Sequence, residues 1–137
     1  MRVVTKSLSA NDTGETGGHQ AGILVPKVPE LLAFFPALPA GVKNPRHHIL
    51  VTDEMNVEWE FSFIYYNNRF FGGTRNEYRL TRMTKYLRNV DAVQGDDLEF
   101  SKSDAGEFSV ALKKASNISQ DRPGVLKLGS GWRVIPL

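Results

Sequence analysis

The chain has 137 residues, of which 41% are hydrophobic and 23% charged, with a net charge of +2, values typical of one soluble domain with its own core. The absence of cysteine excludes disulfide bonds, thiolate catalysis and cysteine-ligated zinc. No apolar run approaches the roughly 18 residues of a membrane span, and the N-terminus lacks the apolar stretch of a signal peptide.

Two short apolar or β-branched runs, at about 2–7 and 21–25, are predicted as strands. They are separated by "LSANDTGETGGHQAG", from Leu8 to Gly22, which is far longer than the two to five residues that a hairpin needs. The stretch is rich in glycine and in side chains that donate or accept hydrogen bonds. Its composition fits a flexible surface loop, and it also fits an arm that reaches another molecule.

The next predicted element is a short helix. Pro29 suits the first turn of a helix, and Leu31, Leu32 and Phe35 share one helical face, so a helix is predicted over about 29–35. The following "PALPAGVKNPRHH" is rich in proline and glycine and is predicted to be an irregular connection.

The strongest strand signal lies in "VEWEFSFIY", where Val57, Trp59, Phe61, Phe63 and Tyr65 alternate with mostly polar residues. A period of two predicts a strand with one buried face. The remaining predictions are a strand start at 49–51, a loop at 67–74, a returning strand in "RNEYRLT", a helix at 81–88, and strands at 97–102, 107–114, 124–128 and 132–135. Six to eight short strands and two short helices predict a mainly β domain, a small barrel or sandwich, over residues 1–137.

Positive charge is concentrated between residues 69 and 88, a segment with a net charge of +5, which leaves −3 for the rest of the chain. Its cations are Arg69, Arg75, Arg79, Arg82, Lys85 and Arg88, and its one acid is Glu77. A solvated face with ion pairs is the simplest interpretation, although one acid pairs few of these cations. Arginine also suits phosphates and guanine edges, and a glutamate among arginines suits either an ion pair or the amino group of cytosine.

No catalytic or metal site is predicted from these residues. His47 and His48 are adjacent and would point to opposite faces of a strand, so they are poor partners for one metal ion. The acids of "DDLEFSK" lack the spacing to a lysine that nuclease chemistry needs, and no serine has a base placed for it. A small metal-dependent nuclease and a protein-interaction module with a basic loop remain the alternatives to a DNA-binding domain.

Two segments carry a resemblance to a known family. "LSANDTGETGGHQAG" resembles the first recognition segment of the N-terminal effector domain of EcoRII-type restriction endonucleases, and "IYYNNRFFGGTRNEYRLTR" resembles the second. The resemblance implies an open pseudobarrel of about seven strands with two short helices, shared with plant B-three-type DNA-binding domains. It further implies a bacterial, cytoplasmic domain that binds a short C/G-rich duplex site with a central A·T pair. Cleavage would then belong to a separate C-terminal nuclease domain.

The same resemblance implies two DNA-binding arms. The residues implied for the first arm are Asn11, Asp12, Thr13, His19 and Gln20, with the backbone of Gly17 and Gly18; those of the second are Arg69, Arg75, Asn76, Glu77 and Arg79. Arg75 and Arg79 are expected to donate to guanines and Glu77 to accept from cytosine, with Asn11, Asp12 and His19 as readers on the other arm. Phosphate contacts are expected from Arg69, Arg82, Lys85 and Arg88. DNA binding is expected to need no cofactor, since Mg²⁺ would serve only the nuclease domain.

Overall fold

The computed structural model describes residues 1–14, 22–115, 126–127 and 131–136. Its helices and strands are β1 (Arg2–Ser7), α1 (Ala10–Thr13), β2 (Ile23–Val25), α2 (Pro29–Leu32), β3 (Arg46–Thr52), β4 (Glu58–Tyr66), a 3-10 turn (Asn68–Phe71), β5 (Glu77–Thr81), α3 (Thr84–Asn89), β6 (Asp97–Lys102), β7 (Phe108–Lys113), β8 (Leu126–Lys127) and β9 (Trp132–Ile135).

All described strands belong to one sheet, in the order β2-β5-β4-β3-β7-β6-β1-β9-β8. Within the described ranges only β3 and β7 pair in parallel, and every other neighbouring pair is antiparallel. The sheet curls so far that its two ends approach each other: the indole Nε1 of Trp132 in β9 donates to the carbonyl oxygen of Leu24 in β2 at 2.8 Å. The result is an open, curled half-barrel.

Aromatic side chains fill the interior of this curl. Phe35, which follows α2, stacks on Phe63 of β4 with ring centroids 4.6 Å apart and meets Trp132 edge-on at 6.2 Å. Phe100 of β6 stacks on Trp132, with ring centroids 6.0 Å apart. One aromatic cluster thus joins β4, β6 and β9, which are not neighbours in the sheet.

The mainly β prediction is confirmed, with differences in detail. The described part contains nine strands, two of them only two or three residues long, and three short helices instead of two. The additional helix is α1, inside the stretch interpreted as a loop. Ser9 caps it in a reciprocal pair with Asp12, a Ser-x-x-Asp pattern concealed among loop-forming residues.

Two helices are also shorter than predicted. After Leu32 the amides of Phe34 and Phe35 bond to carbonyls three residues back, so the chain continues in tighter turns. The second predicted helix begins at Thr84 rather than Thr81, because β5 continues to Thr81 and Arg82 then takes a positive φ of 63°.

The alternation in β4 is confirmed for its central residues. Phe61 and Phe63 are buried in the core, whereas Val57 precedes the strand and is 47% exposed, which corrects its predicted place on the buried face. On the opposite face Ser62 and Ile64 are also buried, at 1% and 4% exposure. Both residues lie on the second face of the sheet, which forms the floor of the groove described next.

Candidate functional site

An open groove of about 550 Å³ lies on the face of the sheet opposite the aromatic core. Its floor is made by β3, β4 and β5, whose cross-strand partners share one face. One row consists of His48, Ser62 and Thr81, and the next of Arg46, Ile64 and Arg79. Arg75, Arg82 and Tyr66 also line the groove, and Asp12 and Gly22 border it from the side of the first arm.

The predicted grouping of Arg75, Glu77 and Arg79 is present at the second arm. The Nε and Nη2 atoms of Arg75 donate to Glu77 Oε1 at 3.0 and 2.6 Å, and Arg79 Nη2 donates to Glu77 Oε2 at 3.3 Å. Arg79 Nη1 also donates to the carbonyl oxygen of Gly22 at 3.1 Å. The carboxylate therefore aligns both guanidinium groups, and Arg79 joins the second arm to the chain that leaves the first.

Glu77 stays ionised in this setting. Its burial alone would raise the pKa of the carboxyl group, but hydrogen bonds from Arg75 and Arg79 and their positive charges outweigh that effect and hold the pKa below its ordinary value. An ionised carboxylate is an acceptor only. Toward a ligand, Glu77 can thus accept a hydrogen bond but cannot donate one.

Arg75 is held in place by an aromatic ring as well. Its guanidinium carbon lies 3.8 Å from the centroid of the Tyr66 ring, a cation–π contact. Because Glu77 takes two of its N–H groups, three of its five donors remain available within the described part of the chain. Arg75 is therefore a preoriented donor group at the edge of the groove.

Two asparagines shape the segment predicted as a loop at 67–74. Asn67 is buried and donates through Nδ2 to the carbonyl of Val42 at 2.8 Å, while Asn68 Oδ1 accepts from the amide of Arg75 at 2.6 Å. The amide of Arg69 donates to the carbonyl of Arg75 at 2.9 Å. The second arm is thus an ordered turn that presents the exposed side chain of Arg69.

Asn76, the remaining predicted residue of this arm, is half-buried. Its Oδ1 accepts a hydrogen bond from the hydroxyl of Tyr65. This bond fixes the orientation of the side-chain amide and leaves its NH₂ group as the donor toward a ligand.

The first arm is described only at its base. Asn11 is exposed, and the Thr13 hydroxyl donates to the carbonyl of Ala10 at 3.1 Å. Gly17, Gly18, His19 and Gln20 lie outside the described residues.

Asp12 has contacts that the sequence did not reveal. Its carboxylate accepts from the amide of Ser9 at 3.0 Å and lies 3.1 Å from Nζ of Lys6, whose side chain is only 7% exposed. The Asp12 side chain itself is 10% exposed. This buried ion pair fixes α1, and with it the start of the first arm, onto β1.

The three predicted cations beyond β5 are all exposed. Arg82 pairs with Glu60 of β4 at 3.0 Å, whereas Lys85 and Arg88 lie on α3. Sequence reasoning missed several groove residues, among them Arg46 and Tyr66. Alternation with the buried Ile49 and Val51 places Arg46 on the other face of β3. The sequence does not show which strands pair with β3, so it could not predict that Arg46 would lie beside the second arm's residues.

No group of three or more His, Asp or Glu side chains in the described ranges is arranged to hold a metal ion. None of the described helices is long and apolar enough to cross a membrane.

Comparison with known proteins adds a family and a fold. A family model described as "Restriction endonuclease EcoRII, N-terminal" matches residues 1–98. The type II restriction enzyme EcoRII of Escherichia coli is 45% identical over 84 residues, which cover 58% of this chain and 20% of that enzyme. Auxin response factor 3 of Arabidopsis thaliana is 29% identical over 115 residues, or 82% of this chain and 17% of that protein. The chain therefore spans about a fifth or less of the length of these relatives.

The fold is shared with a solved structure titled "Arabidopsis FUS3-DNA complex", at a TM-score of 0.63 and 19% identity, covering 81% of this chain and 95% of that one. This likeness confirms the predicted pseudobarrel.

Proposed function

Because the chain belongs to the family of EcoRII-type restriction endonuclease N-terminal domains, we propose that it is a sequence-specific domain for double-stranded DNA and the effector part of a larger restriction enzyme. The matched stretches cover only 20% and 17% of these two relatives, which leaves ample chain in them for a separate nuclease domain. Cleavage and Mg²⁺ binding are assigned to that domain, and this one needs no cofactor to bind DNA. Its place is the bacterial cytoplasm.

The observation that carries the proposal is the preorganised cluster of Arg75, Glu77 and Arg79 beside an open groove. Arginine donates in pairs to O6 and N7 of guanine, and a carboxylate accepts from the N4 amino group of cytosine. Neighbouring donors and an acceptor on one arm match neighbouring G·C and C·G pairs in a major groove. A carboxylate among phosphate-facing cations would only weaken non-specific affinity, so its presence favours base reading. The proposed site is a short C/G-rich sequence with a central A·T pair.

The other residues divide between base edges and the DNA backbone. Asn11, Thr13, His19 and Gln20, with the backbone of Gly17 and Gly18, are proposed to read from the first arm, and Asn76 from the second. Asp12 supports the first arm through Lys6. Phosphate contacts are assigned to Arg69, Arg82, Lys85 and Arg88, because all four side chains are exposed.

Fluorescence anisotropy with matched duplexes tests this assignment. The wild-type chain should bind the C/G-rich site more tightly than a scrambled duplex. Arg75→Ala should lose about 1–3 kcal/mol of that preference, since it removes a base contact. Lys85→Ala is the matched control for a phosphate contact and should weaken both duplexes alike. Equal wild-type affinity for the two duplexes would refute sequence-specific reading.

Tyr66 is expected to act through Arg75. Tyr66→Phe keeps the aromatic face and should retain the preference for the specific site, whereas Tyr66→Leu should lose about 0.5–2 kcal/mol of it with the cation–π contact. The readout is the ratio of dissociation constants for the two duplexes. A loss of equal size in both variants would show that the hydroxyl group, and not the ring, supports Arg75.

The purified chain is also expected to leave supercoiled plasmid uncut in the presence of Mg²⁺. Cleavage by this chain alone would favour a small metal-dependent nuclease instead.

A further inference from the structure

Arg46 lies on the floor of the groove, on a strand that belongs to neither arm. It begins β3 and pairs with Ile64 of β4, which pairs in turn with Arg79 of β5. It therefore shares the groove face with the proposed base-reading cluster, although 29 positions separate it from Arg75 in the sequence. Arg46 is exposed and is one of the residues that line the groove.

Arg46 differs from the neighbouring arginines in having no carboxylate partner in the described ranges. Arg75 and Arg79 pair with Glu77, and Arg82 pairs with Glu60. No carboxylate in the described ranges lies within ion-pair distance of Arg46, whose one polar contact there is a long 3.5 Å approach of Nη2 to the carbonyl oxygen of Asn44. Its positive charge is thus left uncompensated on the floor of the groove.

We propose that Arg46 binds a backbone phosphate of the same duplex that the two arms hold, which makes β3 a third contact segment. This inference rests on the proposed DNA-binding function. A planar guanidinium group pairs strongly with phosphate, and an uncompensated one on a concave surface attracts the nearest anion. Base reading needs a fixed donor, and Arg46 has neither the carboxylate nor the aromatic ring that fixes Arg75. The Arg46 contact therefore adds affinity without adding sequence preference.

Salt titration of Arg46→Gln tests this proposal. Neutralising one phosphate contact should reduce the slope of log K against log salt by about 0.9, and should weaken the specific and scrambled duplexes by the same factor. Arg46→Lys retains the charge and should keep most of the wild-type slope. Arg2→Gln is the matched control, since Arg2 is an exposed arginine on β1 outside the groove lining, and it should leave the slope unchanged.

Two results would overturn the proposal. An unchanged slope for Arg46→Gln would exclude the phosphate contact, and a loss confined to the specific duplex would assign Arg46 to base reading instead. Failure of the proposed function looks different: the wild-type chain would then bind both duplexes equally, while Arg46→Gln would still reduce the salt slope. Comparing the two duplexes and the salt series in one experiment separates these cases.

Discussion

Asp12→Ala should lower the free energy of unfolding by about 3–5 kcal/mol, because it leaves the buried ammonium group of Lys6 without its carboxylate. It also removes the acceptor for the Ser9 amide, so α1 loses its reciprocal cap. Urea unfolding followed by tryptophan fluorescence measures the effect. Affinity for the specific duplex should fall as well, since α1 contains Asn11 and Thr13, two of the proposed reading residues of the first arm.

A double-mutant cycle distinguishes this ion pair from general damage. Replacing both partners, as Lys6→Met with Asp12→Ala, should recover much of the stability, because no buried charge is then left alone. Asp104→Ala is the matched control: Asp104 pairs with the N-terminal amine at the surface, and its removal should leave the unfolding midpoint unchanged. Additive losses in the double variant would show that the two side chains do not depend on each other.

Trp132→Ala should destabilise the fold by about 3–5 kcal/mol, the cost of removing a large, fully buried aromatic side chain. The position matters because Trp132 connects the two ends of the curled sheet through its bond to Leu24 and its contact with Phe35. Trp132→Phe keeps most of the apolar volume and should cost about 1–3 kcal/mol, mainly through the unpaired carbonyl of Leu24. Thermal or urea unfolding by circular dichroism measures both.

Trp59 provides the internal comparison. It is half-buried, and its Nε1 donates to Asp53, six residues away in the same hairpin. Trp59→Ala should therefore cost clearly less than Trp132→Ala. Equal losses would contradict a special role for Trp132 in closing the sheet.

Local patterns predicted much of the fold. Strands β1, β6 and β9 have the predicted bounds, and the alternation around Phe61 and Phe63 identified the buried face of β4. These patterns succeed because the side-chain period of a strand is a property of consecutive residues. The helix α1 was missed because its Ser9–Asp12 cap lies in a stretch dominated by loop-forming residues.

The proposed site divides in the same way. Arg75, Glu77 and Arg79 are close in sequence, so their alternation was enough to predict that they face the same side. Tyr66 and Arg46 belong to other strands, and only the pairing of β3, β4 and β5 brings them to that groove. The ion pair between Lys6 and Asp12 was likewise not predicted from the sequence.

By itself, the sequence determined the mainly β class and the family, because these depend on residues that are neighbours along the chain. The tertiary structure alone decided that Asp12 is a buried support, that Trp132 reaches Leu24 and that Arg46 lies on the floor of the groove. The physical reason is that strand alternation specifies the two faces of each strand but not its neighbours, which are selected by long-range pairing and burial of the shared core.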